Sequence, residues 1–187
     1  MGQRRRALQA LRREHTTPQT FEGPPRTHGA PHGGSSEFAG IVIEPLRISF
    51  EVACPPDHAF ETWTERASAW WPPQHTVSHQ PGAEIVFEPR PGGRIFERTP
   101  QGEEFEWGEI VRWDPPRGLS YRWHIATDPA NATEVEIVFR EMPGSTTRIE
   151  IEHGGWDRLG EIGQAWRDAN RAGWDGVLPP YAEAARS

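Results

Sequence analysis

The chain has no lysine, and all 20 of its basic residues are arginine. It has a single cysteine, Cys54. One thiol excludes an intrachain disulfide framework and a cysteine-based zinc site, and a lone thiol usually packs as a small buried hydrophobe. No segment approaches the roughly 18 consecutive apolar residues of a membrane-spanning helix. Arg4, Arg5 and Arg6 stand near the N-terminus with no apolar stretch behind them, so they do not read as a secretory signal. Together these absences predict a cytoplasmic protein with no membrane partner. Positive charge is also scarce where a nucleic-acid binder would need it. Residues 1 to 37 hold six arginines against three acids, whereas residues 38 to 187 hold fourteen against twenty-four. A globular part this acidic argues against binding phosphate backbones. Of the eight histidines, His28 and His32, and His75 and His79, stand four apart, but neither pair is joined by a cysteine or by a carboxylate between its members, so neither a metal nor a cofactor is expected.

With 187 residues the chain is long enough for one ordinary domain. Residues 1 to 37 are basic and rich in proline and glycine without an apolar period, which predicts a disordered tail and linker. The domain is expected over 38–187. Leu46, Ile48, Phe50 and Val52 alternate with polar residues and predict a half-buried first strand. Pro55, Pro56 and Asp57 then suit the first turn of a helix, and Ala67 to Trp71 suit a second short one, stopped by Pro72 and Pro73. Six strands follow, at about 83–88, 93–99, 104–113, 118–126, 133–141 and 146–153, divided by Pro, Gly, Asp and Asn turn signals. Near the end, Leu159, Ile162, Trp166, Ala169, Gly173 and Val177 recur at helical spacing, and Pro179 with Pro180 should break that helix near Leu178. The order predicts an α+β, helix-grip fold: a curved antiparallel sheet of about seven strands wrapped around a long C-terminal helix, with two short helices after the first strand.

Alternation along the strands sorts side chains into two faces. The apolar set on 104–113 is Phe105, Trp107, Glu109, Val111 and Trp113, and on the next strand it includes Tyr121 and Trp123. Later strands add Phe139, Ile151 and His153, and the helix brings Trp166 and Trp174. Such an aromatic interior suits a pocket for a flat or branched apolar molecule, or it simply fills the core. Glu109 and His153 are the polar members of the apolar set. Convergent in one cavity, they would orient a ligand or act as general acid and base. Otherwise Glu109 caps amides or pairs with an arginine and His153 is a satisfied core histidine. Glu97, which shares parity with Ile95, is a weaker third candidate.

Several segments also look familiar. Cys54-Pro-Pro-Asp-His-Ala-Phe-Glu-Thr-Trp63, Pro91-Gly-Gly-Arg-Ile-Phe-Glu97 and Trp107-Gly-Glu-Ile-Val-Arg-Trp-Asp-Pro-Pro116 occur in order, followed by Thr133 to Phe139, His153 to Trp156 and Gly173-Trp174. From about Ile48 to Leu178 the chain resembles bacterial proteins related to the activator of the heat-shock chaperone ATPase, within the START-like (SRPBCC) superfamily. The resemblance implies a cavity between sheet and helix more than any one reaction. The first expectation is therefore a non-catalytic binder of a small hydrophobic molecule, present as a monomer or a homodimer. Its expected contacts are Trp107, Glu109, Trp123 and Phe139 from the sheet, Ile151 and His153 at its far side, and Trp166 and Trp174 from the helix. The alternatives are a cyclase- or hydrolase-type enzyme using Glu109 and His153, and a protein-interaction module presenting Trp70, Trp71 and the basic tail.

Overall fold

A computed structural model describes residues 42–125 and 127–186. The basic tail expected at 1–37 and the domain start expected at 38 lie outside the described residues. The strands are β1 (Leu46–Val52), β2 (Glu84–Phe87), β3 (Arg94–Arg98), β4 (Glu104–Asp114), β5 (Gly118–Trp123), β6 (Thr133–Met142) and β7 (Thr146–Gly154). Between β1 and β2 lie α1 (Pro56–Thr64), α2 (Ala67–Trp70) and a 3-10 turn at Pro73–His75. After β7 come a 3-10 segment, Trp156–Ile162, and the long α3 (Gly163–Ala184). This is the α+β helix-grip arrangement.

The strands form one antiparallel sheet in the order β1-β7-β6-β5-β4-β3-β2. Strands β2 to β7 meander because the turn residues between them close hairpins, such as the one in which Met142 faces Thr146. β1 joins the far edge beside β7, pairing Ile48 with Ile151 and Phe50 with Ile149. Inward-facing residues line up across the strands. One row runs Ile48, Ile151, Ile137, Leu119 and Trp113; the next runs Leu46, His153, Val135, Tyr121 and Ile110. These rows are the floor of the hydrophobic core.

α1 starts as expected, with Pro56 in its first turn and Asp57 near its positive end. α3 departs from expectation. Leu159 and Ile162 belong to the 3-10 segment, and Ile162 is 45% exposed. The buried stripe is instead Trp174, Val177, Tyr181 and, just past the helix, Ala185. The helix also runs through Pro179 and Pro180 without ending near Leu178. A proline's own φ is helical, so the cost lies in missing N–H donors and crowding, about 3 kcal/mol at an interior position. That cost is offset by the anchor beyond the prolines: Tyr181 is fully buried and its hydroxyl donates to the Ala59 carbonyl at 2.9 Å.

The largest departure is on β4, where two bulges break the alternation. Ile95 pairs with Gly108 and the next residue, Phe96, with Glu106, so Trp107 is the extra residue and both it and Gly108 turn inward. A second slip between Ile110 and Arg112 leaves Val111 unpaired and 54% exposed. The inward set is therefore Phe105, Trp107, Ile110 and Trp113. Glycine is needed at the first bulge because a Cβ on Gly108 would run into the Arg122 carbonyl oxygen on β5. Gly108→Ala is expected to destabilise the protein by about 2–4 kcal/mol in urea denaturation. An unchanged midpoint would mean that β4 and β5 are not this close.

Candidate functional site

The site is built outward from the end of β7, where the period of two that buries Ile149 and Ile151 also turns His153 inward. His153 is fully buried. The Trp174 indole N–H, on α3, donates to His153 Nδ1 at 3.1 Å. With Nδ1 accepting, the neutral ring carries its proton on Nε2, which lies 2.8 Å from Thr133 Oγ1 and donates to it. The Thr133 hydroxyl passes its own proton toward the Trp123 carbonyl at 3.2 Å. Trp156 closes the other side, its indole donating to the His153 carbonyl at 2.9 Å and its ring centroid 4.3 Å from the imidazole. Burial drives the His153 pKa down to about 3. Both ring nitrogens are engaged, so His153 joins α3, β6 and β7 and has no lone pair left for general-base work.

Next to this hub lies a wall of indoles. Trp107, fully buried, has its ring centroid 5.1 Å from Trp71 and 5.8 Å from Trp123, and Trp71 and Trp123 are 6.3 Å apart. The Trp107 N–H donates to Glu97 Oε2 at 3.1 Å, and the Trp71 N–H to the His75 carbonyl at 3.2 Å. A second aromatic group lies deeper. Phe139 packs edge-on against Phe60 at 5.5 Å and against Trp63 at 6.5 Å, and Trp63 continues to Trp174 at 6.2 Å. Trp123, Ile125, Val77 and Trp166 pack against this core while half-buried, so the aromatic interior reaches solvent at their edges.

The sequence-predicted residues thus separate into groups. Trp107 and Trp123 share the indole wall, His153 and Trp174 share a hydrogen bond, and Phe139 belongs to the deeper group. Ile151 is buried between Ile48 and Ile137. Trp166 is half-buried near the start of α3. Glu109 is a correction: the Trp107–Gly108 bulge puts it on the outer face, exposed and opposite Arg94 and Arg122. It does not meet His153, and no acid–base pair forms between them. Trp70 and Trp71, expected on a docking surface, are 6% and 8% exposed and are part of the core. Among the described residues no cluster of His, Cys, Asp or Glu is arranged to hold a metal ion. Sequence reasoning did not place Trp63 or Thr133 at the site, and it gave Trp71 a different role. Trp63 was legible from its helical spacing with Phe60, but the role of Thr133 depends on a partner twenty residues away.

A family profile described as Activator of Hsp90 ATPase homolog 1-like protein matches residues 53–179, more than half of the chain. The chain belongs to this family. As an AHSA1-like protein it has the START-like fold and similar solved structures. One is the anthrahydroquino-gamma-pyrone synthase Txn09, 33% identical over 66% of this chain and 84% of that one, with a TM-score of 0.48. Another is CalC, a self-sacrificing resistance protein from Micromonospora echinospora, 28% identical over 76% and 92%, TM-score 0.54. A Mesorhizobium loti protein, 18% identical over 75% and 95% at a TM-score of 0.56, shares the fold. No curated protein sequence matches the AHSA1-like chain.

The His153 hub makes a pH dependence that can be measured. Its folded pKa, about 3, lies below the 6.5 of the unfolded chain, so at intermediate pH only the unfolded state binds the proton. Stability is therefore complete above the unfolded value and falls as pH drops toward the folded one. Between about pH 7.5 and pH 5 the loss attributable to His153 is about 2 kcal/mol. Urea denaturation across that range should show it, and His153→Gln should flatten the dependence; an equal slope in both proteins would rule out a neutral buried imidazole.

Proposed function

We propose that this AHSA1-like protein is a non-catalytic binder of a small, flat apolar molecule, held between the inner face of the sheet and α3. The observation that carries this reading is the half-buried indole of Trp123, which joins a fully buried aromatic wall to solvent. A ring stacking there removes apolar surface from water on both partners and gains aromatic contact of about 0.5–1.5 kcal/mol beyond area alone. Trp107 and Phe139 supply the wall and the deeper apolar floor, Ile151 the sheet beneath, and Trp166 and Trp174 the helix side. Glu109 lies outside this site, and His153 shapes it through Trp174 and Thr133. We place the activity in the cytoplasm, with the protein as a monomer or a homodimer; among the described residues no helix is long and apolar enough to cross a membrane.

Native mass spectrometry of the protein as purified from cells, followed by denaturation, would identify a bound passenger. In parallel, Nile red should bind at an interior site, and Trp123→Ala should weaken it about tenfold or more, equivalent to about 1.4 kcal/mol. Glu109→Gln should leave its affinity unchanged. A clean apo spectrum together with no Nile red binding would mean that the indoles only fill the core.

A further inference from the structure

Glu97 is fully buried on the inner face of β3, next in parity to Ile95, and among the described residues no salt bridge accompanies it. Its carboxylate instead collects three N–H donors. Oε2 accepts from the Val77 amide at 2.7 Å and from Trp107 Nε1 at 3.1 Å, while Oε1 accepts from the Ser78 amide at 2.6 Å. Two consecutive backbone amides converging on one anion form a nest of the kind that binds free anions, and here the chain supplies the anion itself. The loop around them is shaped for this. Thr76 Oγ1 donates to the Pro73 carbonyl at 2.7 Å and accepts from the His79 amide at 3.0 Å, and His79 takes a positive φ of 54°.

The same loop touches the indole wall, α3 and the rim of the proposed site. His75 accepts from the Trp71 indole, its ring packs against Gly176 of α3 so closely that a Cβ there would collide with it, and Val77 is one of the half-buried residues at the rim. We infer that Glu97 is the positioning residue of the ligand mouth: one carboxylate fixes both the rim loop at 77–78 and the Trp107 indole of the inner wall. This inference rests on the pocket reading above and adds what holds the pocket's entrance. Glu97 touches no ligand. It sets how readily the loop lifts from the wall to let a molecule pass.

Glu97→Gln tests this while keeping the shape. An amide has one acceptor oxygen and one donor nitrogen, so at least one of the three bonds is lost, and its NH2 then faces an N–H. In that variant, amide hydrogen exchange at Val77 and Ser78 should rise about ten- to a hundredfold, with amides of β6 and β7 unchanged. The side-chain N–H resonance of Trp107 should move upfield. Nile red should enter and leave at least about fivefold faster with its dissociation constant changed less than about threefold, because the loop gates passage and not contact. Exchange of the wild-type protein is a second test that needs no variant to fold: Val77 and Ser78 should be protected like sheet amides, and exchange at the rate of an open loop would overturn the inference. Unchanged Nile red rates in a folded Glu97→Gln protein would overturn the latch alone. Failure of the wild-type protein to bind Nile red would remove the pocket and, with it, the gating role.

Discussion

α3 shares no backbone ladder with the sheet it covers, so its position has to come from side chains, and two aromatic ones fix it. Trp174 donates to His153 on β7, and Tyr181, two turns further on, donates to Ala59 on α1. Each bond is worth only about 1 kcal/mol net, but leaving a buried partner unpaired costs about 1–3 kcal/mol, so a rotation or slide of the helix would be penalised at both points. Glycines then let the helix settle closely. Side chains at Gly163 and Gly176 would collide with the Trp156 carbonyl and the His75 ring. Once α3 is placed, the His75 ring of the 3-10 turn seats against Gly176, and Glu97 holds the loop that follows.

The tryptophans serve this plan because each carries a large apolar body and a single donor. Buried indole N–H groups reach acceptors on other elements: Trp70 the Thr62 carbonyl, Trp71 the His75 carbonyl, Trp107 the Glu97 carboxylate, Trp156 the His153 carbonyl and Trp174 the His153 ring. Each ring fills volume and also ties one segment to the next. Trp63 is the exception: among the described residues its buried N–H has no partner, and its ring is surrounded by Trp70, Phe139, Trp174 and Tyr181. Replacing Glu97 or His153 by an apolar residue would therefore strand indole donors in the core as well as remove the polar group.

Much of the fold was legible because turn chemistry is local. Proline, glycine and aspartate marked the hairpins, and the period of two along β1, β5, β6 and β7 gave the correct inward face. β4 could not be read that way, since two bulges reversed its parity between Trp107 and Trp113. Gly108 in mid-strand was the available signal. The path of α3 was misjudged because the two prolines act locally, whereas the Tyr181 anchor that overrides them lies across the core. The site was legible as a composition, a set of indoles with His153 among them. Its arrangement was not, because what each polar group does depends on partners far along the chain: Glu97 serves a loop about twenty residues earlier, and His153 serves a helix about twenty residues later.

The placement of β1 beside β7 has a consequence for how the chain is made. β1 is the first described strand to leave the ribosome, yet its partner is the last: the cross-strand ion pairs Arg148–Glu51 and Arg47–Glu152 span 97 and 105 residues of sequence. Ile48 and Phe50 therefore wait without their sheet neighbours until almost the whole domain has emerged, while β2 to β6 pair as they appear. The order of synthesis runs against the closure of the sheet, and the late, non-local docking of β1 and α3 makes this a comparatively slow folder whose nascent chain exposes an apolar strand for most of its synthesis.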